Sequence, residues 1–193
     1  MSDAIGTRIL GVDPGLNVTG YSVLEVTALG PRVCEAGVVR STEGREAADM
    51  ARRLESLYDG IAEVIEQYRP EVAVVEQLYA HYEHPRTAIL MAHARGVIFL
   101  ACAQRGVPVV SYNASHIKKT ITNSGRADKE QVQRTMQREL GLPGLPEPND
   151  VADALAAALC HYHTLVAAAK GPNPLASSPA VRPEEEPAEG DDA

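Results

Sequence analysis

Apolar and β-branched residues in the first forty positions form three short runs separated by turn residues. The runs cover 8–13, 18–26 and 32–40, with Pro14-Gly15 and Leu29-Gly30-Pro31 between them, a pattern typical of β-strands. Connections this short can only join antiparallel neighbours. The chain therefore opens with a predicted three-stranded antiparallel meander.

Helical spacing replaces this pattern in the next segment. Apolar residues recur every three or four positions over 45–68, and an Arg-Pro pair ends that helix because proline displaces the preceding residue from the α region. A continuous apolar run over 72–75 indicates a strand buried on both faces, and it ends at Glu76. A second helix over 85–104 and a strand over 107–112 follow. This alternation of strands and helices predicts parallel pairing on this side of the sheet.

The rest of the pattern is helical and then loses its apolar residues. We predict helices near 115–121 and 128–139, and a last helix from about 149 to 169. Pro, Ala, Ser and Glu then dominate, as they do in disordered segments. The expected organisation is one domain over 1–170, followed by an acidic, Pro/Ala/Glu-rich disordered tail over 171–193.

The formal net charge of -8 is unevenly distributed. Six acidic residues and one arginine follow residue 170, which leaves 20 acids and 17 bases in residues 1–170, a net charge of -3. A body so close to neutral can still carry basic patches. Net charge therefore does not exclude nucleic acid as a partner.

Cysteine usage and the absence of targeting signals predict a cytoplasmic protein. Cys34, Cys102 and Cys160 are widely spaced with no CxxC motif, so we expect reduced thiols rather than a disulfide framework or a zinc site. No apolar run approaches the roughly 18 residues of a membrane span. The N-terminus also lacks the basic and apolar regions of a signal peptide.

Four acidic residues stand at the ends of predicted elements. Asp13 and Glu76 each close a buried strand, and parallel neighbours would place their carboxylates about 5 Å apart. Asp150 and Asp153 are separated by one helical turn and share a helix face. Three of these acids have a simpler interpretation. Asp13 begins an Asp-Pro-Gly turn, and Asp150 and Asp153 lie in a first helical turn, where acids complement the helix dipole.

Grouped together, these four acids predict a metal site. Clustered carboxylates repel one another unless a proton or a cation neutralises them. Oxygen ligands without a nearby His or Cys favour Mg²⁺, with Mn²⁺ as a substitute. Two such ions roughly 4 Å apart can hold the attacking water and the leaving oxygen of a phosphodiester hydrolysis.

A basic segment follows the fifth strand. Residues 116–138 hold seven Lys, Arg or His residues and only two acids, a density that can follow the phosphates of a duplex, although a solvated helix face is the ordinary explanation. The loop 123–125 can bring backbone N–H groups near a phosphate. Tyr79 is placed either to stack on an unpaired base or to be buried. The candidate DNA-binding residues are Tyr79, Lys118, Lys119, Arg126 and Lys129.

Six motifs occur along the chain in this order: Leu10-Gly11-Val12-Asp13-Pro14-Gly15 with Thr19-Gly20-Tyr21, Val75-Glu76-Gln77, Ala94-Arg95-Gly96, Ala127-Asp128-Lys129-Glu130-Gln131-Val132 and Asp150-Val151-Ala152-Asp153-Ala154-Leu155-Ala156. Together, in order and spacing over roughly 8–168, they resemble the RuvC family of bacterial Holliday junction resolvases. The resemblance implies an α/β, ribonuclease-H-like fold with a five-stranded mixed sheet, three strands antiparallel and then two parallel, flanked by helices.

The resemblance also implies an activity and partners. Such a protein is a homodimer that binds four-way junction DNA and nicks two strands of like polarity symmetrically, with divalent metal, leaving 5′-phosphate and 3′-hydroxyl ends. It acts in recombination and DNA repair beside the RuvA–RuvB branch-migration complex.

Residue roles follow from the same resemblance. Lys118 and Lys129 match the family's DNA-contacting lysines, and Tyr79 lies in the segment that engages bases. The helix over 85–104 matches the dimer helix, whereas its small residues alone are also compatible with packing on the sheet. Asp13, Glu76, Asp150 and Asp153 match the catalytic, metal-binding acids.

Three other functions are compatible with parts of the pattern. An actin-like or sugar-kinase-like ATPase also follows a strand-ending Asp with a glycine turn, but it needs a second related domain and an adenosine-binding glycine motif. A related ribonuclease-H-like nuclease could act on RNA or on other branched DNA. A non-catalytic junction-binding module would not need all four acids.

Overall fold

Five strands form one mixed sheet in the computed structural model of the protein, which describes residues 4–41, 49–78 and 85–169. Their order across the sheet is β3-β2-β1-β4-β5, with β1, β2 and β3 antiparallel and the β1–β4 and β4–β5 pairs parallel. The predicted mixed sheet is confirmed. The strands are β1 Arg8–Asp13, β2 Val18–Thr27, β3 Gly30–Arg40, β4 Val72–Glu76 and β5 Val109–Tyr112.

Helices cover both faces of this sheet. On one face, α1 and α2 enclose a core that includes Leu10 and Val12, while α3, α4 and α5 enclose a second core around Ile9 on the other face. Successive residues of β1 enter opposite cores because side chains alternate along a strand. The helices are α1 Met50–Tyr68, α2 Pro85–Gln104, α3 Ala114–Thr122, α4 Lys129–Glu139 and α5 Asn149–Ala169.

Two elements begin later than predicted. Residues 45–48 of the predicted first helix lie outside the described residues, and α1 begins at Met50 because Asp49 has extended backbone and its side chain accepts a hydrogen bond from the Ala51 N–H at 2.9 Å. The strand predicted from residue 107 begins at Val109. The Val107 N–H donates instead to the Cys102 carbonyl at 3.0 Å, and Pro108 has no N–H to donate.

Two helices have the predicted bounds but are more apolar than the sequence analysis recognised. Arg86–Gln104 and Asn149–Ala169 both reach the length and mean hydropathy of a membrane span, so the expectation that no segment approaches one is wrong on hydropathy alone. The two helices differ in burial: 61% of the apolar stretch of α5 is buried inside the structure, against 22% of that of α2. Helix α5 is thus a core helix, and α2 keeps an exposed face with Ile89 and Leu100 58% and 51% exposed.

The three cysteines lie in different elements, β3, α2 and α5. Cys34, Cys102 and Cys160 all carry free thiols, with Cys102 and Cys160 buried and Cys34 half-buried.

Candidate active site

Asp13 and Glu76 lie side by side at the carboxyl end of the sheet. The β1–β4 register pairs Val12 with Val75, and each acid is the next residue of its strand. Adjacent strands are about 5 Å apart, and both side chains are half-buried. The predicted juxtaposition of the two strand-end acids is therefore present.

Two strand glycines allow α5 to lie directly on the sheet. A Cβ at Gly11 would stand 2.1 Å from the Ala154 carbonyl oxygen, and one at Gly20 would stand 1.9 Å from the Asp150 carbonyl oxygen. No side chain fits in that space, so glycine is required at both positions. Because Gly20 is the β2 partner of Asp13, this contact brings the first turn of α5 beside the strand-end acids.

The turn after Asp13 is held by a buried threonine. The Thr19 hydroxyl donates to the Gly15 carbonyl at 2.6 Å, and the Gly15 N–H lies 3.3 Å from the same hydroxyl oxygen. Thr19 is completely buried. The Asp-Pro-Gly segment is thus a turn, as its simpler interpretation required, and it also holds Asp13 at the strand end.

The four acids act on one another electrostatically. Burial, followed by the charges of Asp153, Glu76 and Asp150, raises the pKa of Asp13 to about 8. Burial and then Asp153 raise the pKa of Glu76 to about 7, and burial also raises the pKa of Asp153. These carboxylates share one region of low polarity, where a positive charge would be strongly stabilised.

Two lysines supply part of that positive charge. Lys129 lowers the pKa of Asp13, and Lys118 lowers that of Glu76. Both lysines depend on helix caps: Asn113 caps α3 with a 2.7 Å bond from the His116 N–H, and Asp128 caps α4. The structure therefore brings Lys118 and Lys129 to the acids.

The other predicted DNA-binding residues lie further out or outside the described residues. Lys119 and Arg126 are exposed, and neither contributes to the shifted pKa of Asp13, Glu76 or Asp153. Tyr79 lies outside the described residues. In the 123–125 loop, the Ser124 N–H donates to the Thr122 hydroxyl at 3.2 Å, so that N–H is engaged locally.

The side chains of this site are of the chemical type that binds a divalent cation, but their positions do not yet form a complete set of ligands. Within residues 4–41, 49–78 and 85–169, no three Asp, Glu, His or Cys side chains converge closely enough to hold an ion as they stand. The donors are nevertheless all carboxylates, and burial followed by mutual repulsion raises the pKa values of Asp13 and Glu76, so a bound cation would stabilise their charged forms.

Comparison with known proteins identifies the family. The sequence profile described as "Crossover junction endodeoxyribonuclease RuvC" matches residues 9–161. The chain belongs to the RuvC family. A RuvC of this name from Rhodopirellula baltica is 49% identical over 157 residues, covering 80% of this chain and 85% of that protein. A second RuvC, from Moorella thermoacetica, is 44% identical over 153 residues, covering 79% and 89%.

Solved structures agree with this assignment. Thermus thermophilus RuvC in complex with a Holliday junction substrate superposes with a TM-score of 0.75 at 30% identity, covering 83% of this chain and 96% of that one. A yeast mitochondrial Holliday junction resolvase shares the fold at a TM-score of 0.55 and 13% identity. The predicted family and ribonuclease-H-like fold are confirmed, and RuvC proteins are metal-dependent nucleases.

Three positioning residues escaped the sequence analysis. Gly11, Gly20 and Thr19 were present in the quoted motifs, but no role was inferred for them. A glycine inside a strand pattern is a general signal of close backbone approach. It does not tell which helix approaches, and this is why the α5 contact could not be derived.

Metal binding should depend on pH through the strand-end acids. Their pKa values, about 8 for Asp13 and about 7 for Glu76 against ordinary values of 3.8 and 4.5, mean that the metal-free native state binds more protons than the unfolded chain between these limits. Metal-free stability contributed by these groups therefore falls as pH rises through that window. We expect Mg²⁺ to raise Tm more near pH 8 than near pH 5, because the ion competes with protons at low pH.

The matched variant for this measurement is Asp13→Asn. Burial lowers the pKa of His161, so this histidine makes the protein more stable as pH rises, the opposite of the trend from Asp13. Wild type and Asp13→Asn share His161, so the difference between their Tm values reports the Asp13 carboxylate alone. In EDTA near pH 8 the variant should melt higher, by about 2–4 °C for each kcal/mol of repulsion removed. Equal Mg²⁺ shifts at both pH values in the wild type would contradict a carboxylate metal site.

Proposed function

We propose that this protein is a crossover junction endodeoxyribonuclease, which resolves four-way DNA junctions by symmetric nicking of two strands of like polarity. The nicks leave 5′-phosphate and 3′-hydroxyl ends, as recombination and repair require. One observation carries the proposal: strand ends β1 and β4 and the first turn of α5 bring acids to one buried place, within a chain of the RuvC family.

The acids hold the metal and the lysines hold the DNA in this proposal. Asp13, Glu76, Asp150 and Asp153 bind Mg²⁺, or Mn²⁺ in its place, with two ions per site. Such ions supply Lewis acidity and lower the pKa of a bound water. The chain itself contributes carboxylate oxygens at the ends of β1 and β4 and in the first turn of α5.

Lys118 and Lys129 orient the cleaved strand. Their charges already act on Glu76 and Asp13, so a phosphate drawn to both lysines lies against the carboxylate site. Lys119 and Arg126 extend the contact along the backbone of the same strand, without reading sequence. For Tyr79 we propose stacking on a base near the strand exchange.

The exposed face of α2 is the proposed homodimer interface. Ile89 and Leu100 expose 58% and 51% of their surface there, and a Cβ at Gly96 would have no atom within 4 Å. A helix from a second copy can approach this face closely. Two copies related by a two-fold axis present two active sites to the two strands of like polarity.

We also propose that the protein acts in the cytoplasm, together with the RuvA–RuvB branch-migration complex. Residues 1–170 are the proposed nuclease domain, and the acidic tail predicted over 171–193, to which we assign no role, lies outside the described residues.

The function is tested by a panel of DNA substrates with Mg²⁺. A four-way junction, a fork, a linear duplex and an RNA–DNA hybrid of the same sequence are compared at equal concentration. We expect cutting of the junction alone at symmetric positions, with nicks that ligase seals. Equal cutting of all four substrates, or preference for the hybrid, would rule out a junction resolvase and favour a related nuclease.

Dimerisation is tested at the exposed α2 face. Leu100→Glu places a charge in the proposed apolar interface and should convert a dimer into a monomer in light scattering. Glu66→Ala, an exposed residue of α1, is the control and should remain dimeric. A Leu100→Glu protein with unchanged mass would place the interface elsewhere.

A further inference from the structure

A cleft opens beside the active site. It lies between the β1–β2 turn and the first half of α2, with a volume of about 360 Å³. Asp13 and Asp150 line it, so one wall is shared with the carboxylate site. Ligand sites commonly have volumes of this order, whereas the proposed metal chemistry does not require this space.

The remaining lining is apolar at the floor and polar at the rim. Leu16, Leu90 and Met91 present apolar surface, and Leu16 is 95% buried. Thr87 and Asn17 stand exposed at the edges. An apolar floor with a hydroxyl and an amide at its rim suits a flat, partly polar group such as a nucleobase.

A positive charge lies behind the same turn. The Arg53 guanidinium donates a hydrogen bond to the Asn17 side-chain oxygen, so the cleft has carboxylates on one wall and an arginine beyond its rim. A nucleotide within a strand has one phosphate on its 5′ side and one on its 3′ side, with the sugar and base between them. One phosphate can meet the metal site while the next approaches Arg53.

We propose that this cleft receives the deoxynucleotide next to the scissile phosphate and that Leu90, Met91 and Thr87 discriminate its base. The inference rests on the proposed function, since it assigns a specificity site to the same reaction. Methionine adapts to flat surfaces, and loss of a few methylene groups from an apolar pocket changes discrimination about 10-fold or more. The base must be unpaired to enter, as bases at a strand exchange can be.

The experiment measures base preference on either side of the nick. Four-way junctions carrying each of the four bases at each of the two flanking positions are cut by wild type, Met91→Ala and Thr87→Ala. We expect a preference in the wild type at one position, and a preference about 10-fold smaller in Met91→Ala. Met91→Leu, which conserves volume, should keep it. Met50→Ala removes another half-buried methionine, which is not among the residues that line the cleft, and it should not change the preference.

Each outcome decides a separate point. A wild type that cuts junctions without preference, or Met91→Ala and Thr87→Ala with unchanged preference, overturns the base-reading cleft and leaves the resolvase proposal intact. An equal loss in Met50→Ala also overturns it, because general core loosening then explains the effect. A wild type that cuts no junction overturns the proposed function and this inference with it. If Met91→Ala fails to fold by its melting curve, Thr87→Ala decides, since its side chain is exposed.

Discussion

Asp13→Asn and Glu76→Gln should each reduce four-way junction cleavage with Mg²⁺ by at least about 1000-fold, while junction binding in EDTA stays near the wild-type level. Metal stabilisation of a phosphodiester transition state contributes several kcal/mol, and about 4 kcal/mol corresponds to a factor of 1000. Both side chains are half-buried at adjacent strand ends, and each substitution removes one carboxylate charge from the proposed metal site.

The control for this measurement is Asp59→Asn, which removes an exposed carboxylate from α1. It should cut at the wild-type rate. Single-turnover cleavage and a filter-binding or mobility-shift assay give the two readouts. Cleavage at the wild-type rate by either variant would contradict the metal site. Loss of binding together with cutting would mean that the acids organise the DNA surface rather than the reaction.

Gly20→Ala should nearly abolish cleavage and destabilise the fold, although it removes no chemical group. The added Cβ would lie 1.9 Å from the Asp150 carbonyl oxygen, so either β2 or the first turn of α5 must move. Overpacking of this kind costs about 1–3 kcal/mol or more. A displacement of about 1 Å at catalytic groups can cost 100-fold in rate, and Asp150 and Asp153 both lie in the displaced turn.

Gly144→Ala is the matched control, because a Cβ there meets no atom within 4 Å. It should leave both Tm and the cleavage rate unchanged. The informative readout for Gly20→Ala is the Mg²⁺-induced rise in Tm, which should shrink along with the rate. A destabilised protein that keeps the full Mg²⁺ response would show that α5 can shift without disturbing the acids.

The elements could be predicted because their signals are local. The apolar run 72–75 and the proline that ends α1 are both visible within a few residues, and the parallel β4–β5 pair followed from the single helix, α2, between these strands. The errors also have local causes. Asp49 accepts the cap bond of α1, and Pro108 delays β5, both through single backbone groups that periodicity does not report.

By itself, the sequence determined the mixed sheet of three antiparallel and two parallel strands, the placement of Asp13, Glu76, Asp150 and Asp153 at element ends, and the family. Only the tertiary structure decided how these acids meet. The contact of α5 with Gly11 and Gly20, the burial that raises the pKa of Asp13 to about 8, and the cleft beside Met91 all join residues distant in the chain. Periodicity records which face of an element is apolar. It carries no information on the distance between two faces, and that distance sets both the electrostatics and the shape of the site.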